Sequence, residues 1–202
     1  MSIPSKISLY GENSSTCGYC GSKSRTSWSF SFESEALSCE EYQKLADCGW
    51  RRCGNLFYLP LNHKTCCPAI TIKTDASKFT LSKKSHRKSL KRLAKKVEIP
   101  NAPLDSLTSF FDELAKQPQK LRVEVQRSCY SQPVFELYKK YQSTVHGDNA
   151  DEITREQFEA FLVHSPLEAE KTMHFKYFLQ DKLIAVGVVD LLPNCLSSVY
   201  FF

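Results

Sequence analysis

Cys17-Gly18-Tyr19-Cys20 is a C-x-x-C knuckle, a spacing that turns two thiols toward one point in space. A second pair, Cys66-Cys67, follows much later in the chain. Brought together, Cys17, Cys20, Cys66 and Cys67 would make a set of four soft sulfur ligands, which suits structural zinc or an iron–sulfur centre. The gap between the pairs exceeds the about 15–20 residues of familiar two-knuckle zinc frameworks, and free structural thiols remain the alternative. A Cys66–Cys67 disulfide is disfavoured, because adjacent Cα atoms lie about 3.8 Å apart, below the usual bridge range of about 4.4–6.8 Å. His63 stands three residues before Cys66 as either a substitute ligand or an exposed loop histidine.

A second kind of chemistry is concentrated between Lys83 and Lys96. Lys83, Lys84, Arg87, Lys88, Lys91, Arg92, Lys95 and Lys96 occur there without a single acid, so the remainder of a +5 chain is net acidic. A local positive field of this kind is what a polyanion site requires, since each cation that neutralises a phosphate releases counterions. A solvated surface or a nuclear-targeting segment would use the same residues. The candidate phosphate contacts are Lys83, Lys84, Arg87, Lys88, Lys91, Arg92 and Lys95.

These groups need a scaffold, and 202 residues with a hydrophobic fraction of 42% can build one large domain or two small ones. Met1 to Lys6 lacks the apolar run of a signal peptide, and nothing reads as a membrane span, which places the chain in the cytosol or nucleus. Nine cysteines, an odd number in a reducing compartment, argue for metal binding over a disulfide framework.

Along the chain, residues 1–16 are polar and are expected to fray. Trp28, Phe30 and Phe32 alternate with Ser27, Ser29 and Ser31 as a strand with one buried face, although the same aromatics could stack nucleobases. Ser38-Cys39-Glu40-Glu41 reads as a capping box, with Leu37 and Tyr42 as its hydrophobic staple and Gly49 as the helix end. Leu56–Pro60 reads as a strand, and so does the alternation of Ile70 and Ile72. The basic residues recur at three- and four-residue steps, which puts them on one face of a helix, with Leu90, Leu93 and Val97 on another.

Pro100–Pro103 interrupts this pattern. Asp105 or Ser106 then caps a helix bearing Phe110 and Leu114, followed by a strand over Leu121, Val123 and Val125. Val134, Leu137, Tyr138, Tyr141 and Val145 trace one helix face. Thr154 and Gln157 cap another helix, which carries Phe158, Phe161 and Leu162. Met173–Leu179 and Leu183–Leu192 flank Gln180-Asp181-Lys182 as an antiparallel hairpin. The chain stops inside an apolar strand at Val199-Tyr200-Phe201-Phe202, so a truncated domain is expected. The predicted division is a flexible 1–16, a Cys-rich domain with its basic helix at 17–99, a linker and helix at 100–118, and the start of a further domain at 119–202.

Several ordered stretches resemble the eukaryotic arginyl-tRNA–protein transferases. Cys17–Cys20, Gly49-Trp50-Arg51-Arg52, Thr65-Cys66-Cys67-Pro68 and Ser82–Lys88 look like the N-terminal motifs of that family. Tyr141-Gln142, Phe161–Leu167, Leu183–Asp190 and Leu192–Phe202 are similar to the opening of its second domain. The resemblance implies an α+β chain: a small Cys-rich module holding an iron–sulfur cluster or zinc, followed by an incomplete acetyltransferase-like (GNAT) mixed sheet with helices. It also implies transfer of arginine from Arg-tRNA to proteins with acidic N-termini (Asp, Glu or oxidised Cys), marking them for ubiquitin-dependent degradation. An acidic N-terminus calls for a cationic partner; Arg51 and Arg52 are candidates by charge, and surface or ion-pair arginines are the alternative. No catalytic triad is evident. A non-enzymatic, metal-stapled RNA-binding or regulatory module is the competing reading.

Overall fold

A computed structural model describes residues 6–81, 84–168 and 171–202. Two compact units are present: Met1–Thr71 with Val125–Phe175 and Val186–Phe202, and Ile72–Glu124 with Lys176–Ala185. No helix is long and apolar enough to cross a membrane among the described residues.

In the first unit, strands β1 (Ile7–Ser15), β2 (Ser27–Ser34), β3 (Arg51–Cys53) and β4 (Leu56–Pro60) form a four-stranded sheet in the order β1-β2-β4-β3, with antiparallel neighbours. Residues 7–15, expected to fray, instead pair with β2 along its whole length. This strand is held by its backbone. Ile7, Leu9 and Tyr10 remain more than half exposed, so no buried periodicity announced it. The aromatic alternation of β2 is a packing pattern: Phe32 stacks on Phe57 at 5.0 Å and meets Trp50 at 5.1 Å, and Tyr42 closes on Phe57 at 5.3 Å.

Helix α1 (Cys39–Asp47) supplies Tyr42 and begins at the expected capping box, where Ser38 Oγ accepts from the Glu41 N–H and the Glu41 carboxylate accepts from the Ser38 N–H. Leu37 and Tyr42, the staple pair, are both buried in the same apolar cluster. Gly54, in the turn between β3 and β4, has φ +56°, and a Cβ there would lie 2.3 Å from the Ala160 carbonyl oxygen. Only glycine fits that contact.

Helices α4 (Gln132–Tyr141) and α5 (Arg155–Leu162) belong to the same unit. Thr154 and Gln157 form the expected capping box of α5. Phe135, Tyr138 and Phe158 pack ring to ring, and Phe202 lies 5.4 Å from Tyr138. Val145 leaves the predicted face and is 57% exposed. The cause is a π-helical turn over Gln142–His146, which breaks the 3.6-residue period beyond Tyr141.

The second unit is built on helix α2 (Lys84–Lys96) and helix α3 (Leu107–Ala115), with Leu81, Leu90, Ala94, Val97, Ile99, Phe110 and Leu114 as its buried core. Ser106 caps α3, accepting from the Ser109 N–H. The strand expected at Ile70 and Ile72 does not form. These side chains are 77% and 86% exposed, so alternation without a face to bury carries no driving force.

Strands β5 (Leu121–Arg127), β6 (Thr172–Leu179), β7 (Lys182–Leu191) and β8 (Leu196–Phe201) form a second four-stranded sheet in that order. The β6–β7 turn is the two-residue Gln180-Asp181 with φ of 48° and 62°, the left-handed pair that a tight hairpin demands. The whole is an α+β protein with two antiparallel sheets.

Candidate metal centre

The two cysteine pairs converge. One sulfur from each of Cys17, Cys20, Cys66 and Cys67 lies within 4.8 Å of every other, and Cys20 and Cys66 are 3.6 Å apart. A tetrahedral ion with bonds of about 2.3 Å to sulfur has ligand-to-ligand edges of about 3.8 Å, so the spacing suits shared ligation. All nine cysteines are free thiols, including the vicinal pair. His63 is exposed and lies outside the sulfur group.

Local backbone geometry explains the convergence. The knuckle turns back on itself through a Gly21 N–H donated to the Cys17 carbonyl at 3.1 Å, with Gly21 in the left-handed region at φ 63°. Thr65 anchors the second pair to β2: its hydroxyl accepts from the Trp28 N–H at 3.0 Å and donates to the Trp28 carbonyl at 3.1 Å. Thr26 and Cys66 are doubly tied, by the Cys66 N–H to the Thr26 carbonyl at 3.1 Å and by the Thr26 hydroxyl to Cys66 Sγ at 3.0 Å. Such supporting bonds aim the ligands at a common point.

The electrostatics favour a cation. Backbone N–H groups of Cys20 and Tyr19 point at the Cys17 sulfur and hold its pKa down to about 7. Cys67 is pushed up to about 12, first by its hydrogen bond with Cys20 and then by desolvation. Four thiolates so close repel one another, and a metal ion resolves this by displacing the remaining protons. The donor set and its geometry therefore fit a structural metal. The other cysteines, Cys39, Cys48, Cys53, Cys129 and Cys195, take no part in the group.

The cationic candidates fall out differently. Lys84, Arg87, Lys88, Lys91, Arg92 and Lys95 are all exposed on α2, and none is in an ion pair among the described residues. Lys83, with Ser82 beside it, lies outside the described residues. Arg51 is half-buried and donates to the Trp50 and Ala46 carbonyls at 2.6 and 3.3 Å. Arg52 is an ion-pair arginine. Its Nε and Nη2 meet the two Asp190 carboxylate oxygens at 2.7 and 2.6 Å, while the remaining bonds go to the Gly54 carbonyl and the Thr172 hydroxyl. With Arg52 and Asp190 side chains 1% and 0% exposed, that guanidinium is fully committed.

Sequence reasoning missed Asp190 and Thr172. One signal was present: Asp190 sits inside the apolar run Ile184–Leu192, and a carboxylate in a buried strand demands a partner.

Fold and site define an α+β protein whose N-terminal half is built around a four-cysteine, metal-type site. Residues 15–88 match the family described as Arginine-tRNA-protein transferase, N terminus, and residues 133–202 match Arginine-tRNA-protein transferase, C terminus. The chain belongs to this aminoacyltransferase family. Arginyl-tRNA--protein transferase 1 of Drosophila melanogaster is 27% identical across 97% of this chain and 68% of its own length. Arginyl-tRNA--protein transferase 2 of Arabidopsis thaliana is 23% identical across 95% of this chain and 63% of its own. An aspartate/glutamate leucyltransferase of Pseudomonas fluorescens is 27% identical across 98% and 71%. The chain thus spans roughly two-thirds of the length of these relatives.

Proposed function

We propose that this chain acts in arginyl transfer, moving arginine from Arg-tRNA to the α-amine of proteins that begin with Asp, Glu or oxidised Cys, a modification that commits them to ubiquitin-dependent degradation in the cytosol or nucleus. The observation that carries this reading is the ordered match of both family segments within one chain. On the same reading β5–β8 with α4 and α5 are the opening of an acetyltransferase-like (GNAT) fold.

The chemistry asks little of the protein's acids and bases. An α-amine has a pKa of about 7.7–8.0, so part of it is neutral near pH 7 and can attack the aminoacyl ester directly. A C–N bond forms, the C–O bond to the terminal ribose breaks, and the proton lost by the amine is taken up by the departing ribose hydroxyl. What the chain supplies is position and electrostatics. The exposed cations of α2 neutralise tRNA phosphates.

Cys17, Cys20, Cys66 and Cys67 would hold the metal, whose contribution is structural: it closes the long loop between the two cysteine pairs. A single tetrahedral ion is favoured over a polynuclear iron–sulfur cluster, because a cluster distributes its cysteines over several irons and needs more space than these sulfurs leave. Arg52, bound to Asp190, is not free to meet an acidic N-terminus, which leaves Arg51 as the remaining arginine of that pair.

The direct test offers the metal-loaded chain labelled Arg-tRNA and Leu-tRNA with an Asp-initiated peptide. Label is expected to pass from arginine. Passage from leucine alone would reassign the donor in line with the leucyltransferase relatives, and passage from neither by a chain that binds tRNA would leave a non-catalytic RNA-binding module. Changing Lys84, Arg87, Lys88 and Lys91 to Gln is expected to flatten the plot of log affinity against log salt by about 0.7–0.9 for each phosphate contact removed. An unchanged slope would make α2 a merely solvated face.

A further inference from the structure

The sheet of the first unit has two unlike faces. Phe30 and Phe32 of β2 pack against Trp50. The opposite face of β2 carries Ser27, Ser29 and Ser31, and the residues paired with them share that face: Ser15 and Asn13 on β1, Pro60 and Tyr58 on β4. Small side chains here leave a trough of about 720 Å³, with Tyr10, Tyr19 and Tyr58 at its borders and Cys67 of the metal site in its wall. That volume falls within the roughly 300–1,000 Å³ of sites that hold small ligands.

Three features of the trough define what it would take. Among the described residues, no Lys, Arg, His, Asp or Glu lines it. A protein N-terminus brings an ammonium and, in an acidic residue, a carboxylate, and burying either without a charged partner is costly. The lining is instead rich in neutral donors and acceptors. Ser29 and Ser31 are bridged through Asn13, at 3.1 and 2.6 Å, into a preformed polar ladder. Finally, flat rings border it. Tyr58 is half-buried, and its phenol hydroxyl has no hydrogen-bond partner among the described residues. Tyr10 and Tyr19 are 56% and 84% exposed.

Neutral hydroxyls and amides beside exposed aromatic rings are the chemistry that recognises unstacked nucleosides: the rings take the base faces, and the polar groups take the base edges and the ribose diol. We propose that this trough receives the unpaired 3′-terminal nucleosides of the tRNA, next to the metal site, with bases against Tyr19 and Tyr58 and sugar hydroxyls on the serine ladder. The inference rests on the reading that the chain binds tRNA through phosphates, and it adds a second contact of a different kind, insensitive to salt. It also gives the metal site a purpose beyond stability, because Tyr19 and Cys67 form part of the wall.

The experiment measures affinity of the metal-loaded chain for an uncharged tRNA and for the same tRNA trimmed of its unpaired 3′ nucleotides, across a range of salt. Tyr58→Ala removes a ring and Ser29→Leu fills the trough. Two variants guard against misfolding of one, and retained metal content reports an intact module. Trimming is expected to cost the wild-type chain about tenfold in affinity. It should cost either variant nothing further, and the salt slope should stay unchanged throughout.

A trimming penalty of equal size in variants and wild type would overturn the proposal. So would an Asp-initiated peptide whose binding depends on Tyr58 and Ser29, which would make the trough a protein site. Salt-dependent binding of both RNAs with no effect of trimming would remove the trough while leaving the tRNA reading intact. Absence of salt-dependent tRNA binding by the wild-type chain would instead sink that reading itself.

Discussion

Asp190→Ala is expected to destabilise the protein by about 3–5 kcal/mol, the range for removing one partner of a buried ion pair. The reason is what it leaves behind. Arg52 would remain in the interior, its side chain 1% exposed, with two donors that now face the Asp190 oxygens at 2.7 and 2.6 Å left without a counter-charge. Thr172, whose hydroxyl lies 2.7 Å from the same carboxylate, would keep only the Ser165 hydroxyl at 2.6 Å as an acceptor. Whole domains are stable by only about 5–15 kcal/mol, so the loss takes a large share of the total. Urea midpoints at constant slope measure it. The double change Arg52→Met with Asp190→Leu should be less damaging than Asp190→Ala alone, because it removes both charges together. A single variant within about 0.5 kcal/mol of wild type would mean that water or rearrangement rescues the arginine. This pair joins β3 to β7, residues far apart in sequence, so its loss should also loosen the packing of β3.

Cys17→Ser and Cys66→Ser are each expected to abolish stoichiometric metal binding and to unfold the loops that carry the cysteines. Hydrogen bonds orient these loops, but little apolar burial holds them: three of the four ligands are exposed or half-buried, and the loop side chains Ile70 and Tyr19 are 77% and 84% exposed. With so little apolar burial nearby, coordination must supply the local stability, and metal binding is then coupled to folding. Cys48→Ser, outside the group, should change neither metal content nor stability. Full metal retention by both ligand variants would show that the sulfurs converge without ligating.

Much of the fold was legible because local signals and tertiary outcome agreed. The capping boxes at Ser38–Glu41 and Thr154–Gln157 and the basic helix opening at Lys84 each follow from a few adjacent residues. Pairing held by backbone alone was invisible. Strand β1 buries almost no side chain, whereas Ile70 and Ile72 have the right alternation and no sheet to join. The site divides in the same way. The cysteines declare themselves by residue type. The role of Arg52 depends on Asp190, a contact across 138 positions that no local pattern encodes. The trough was half legible: the serine–aromatic alternation was visible, but which rings would be buried by Trp50 and which left open required the register of β2 against β4.

Shared ligation of one ion by Cys17, Cys20, Cys66 and Cys67 can be read from X-ray absorption at the metal edge of the purified, anaerobically prepared chain. One metal per chain is expected, with a shell of four sulfurs at about 2.3 Å and no metal–metal scattering. A metal–metal shell, or a first shell dominated by nitrogen and oxygen, would contradict it.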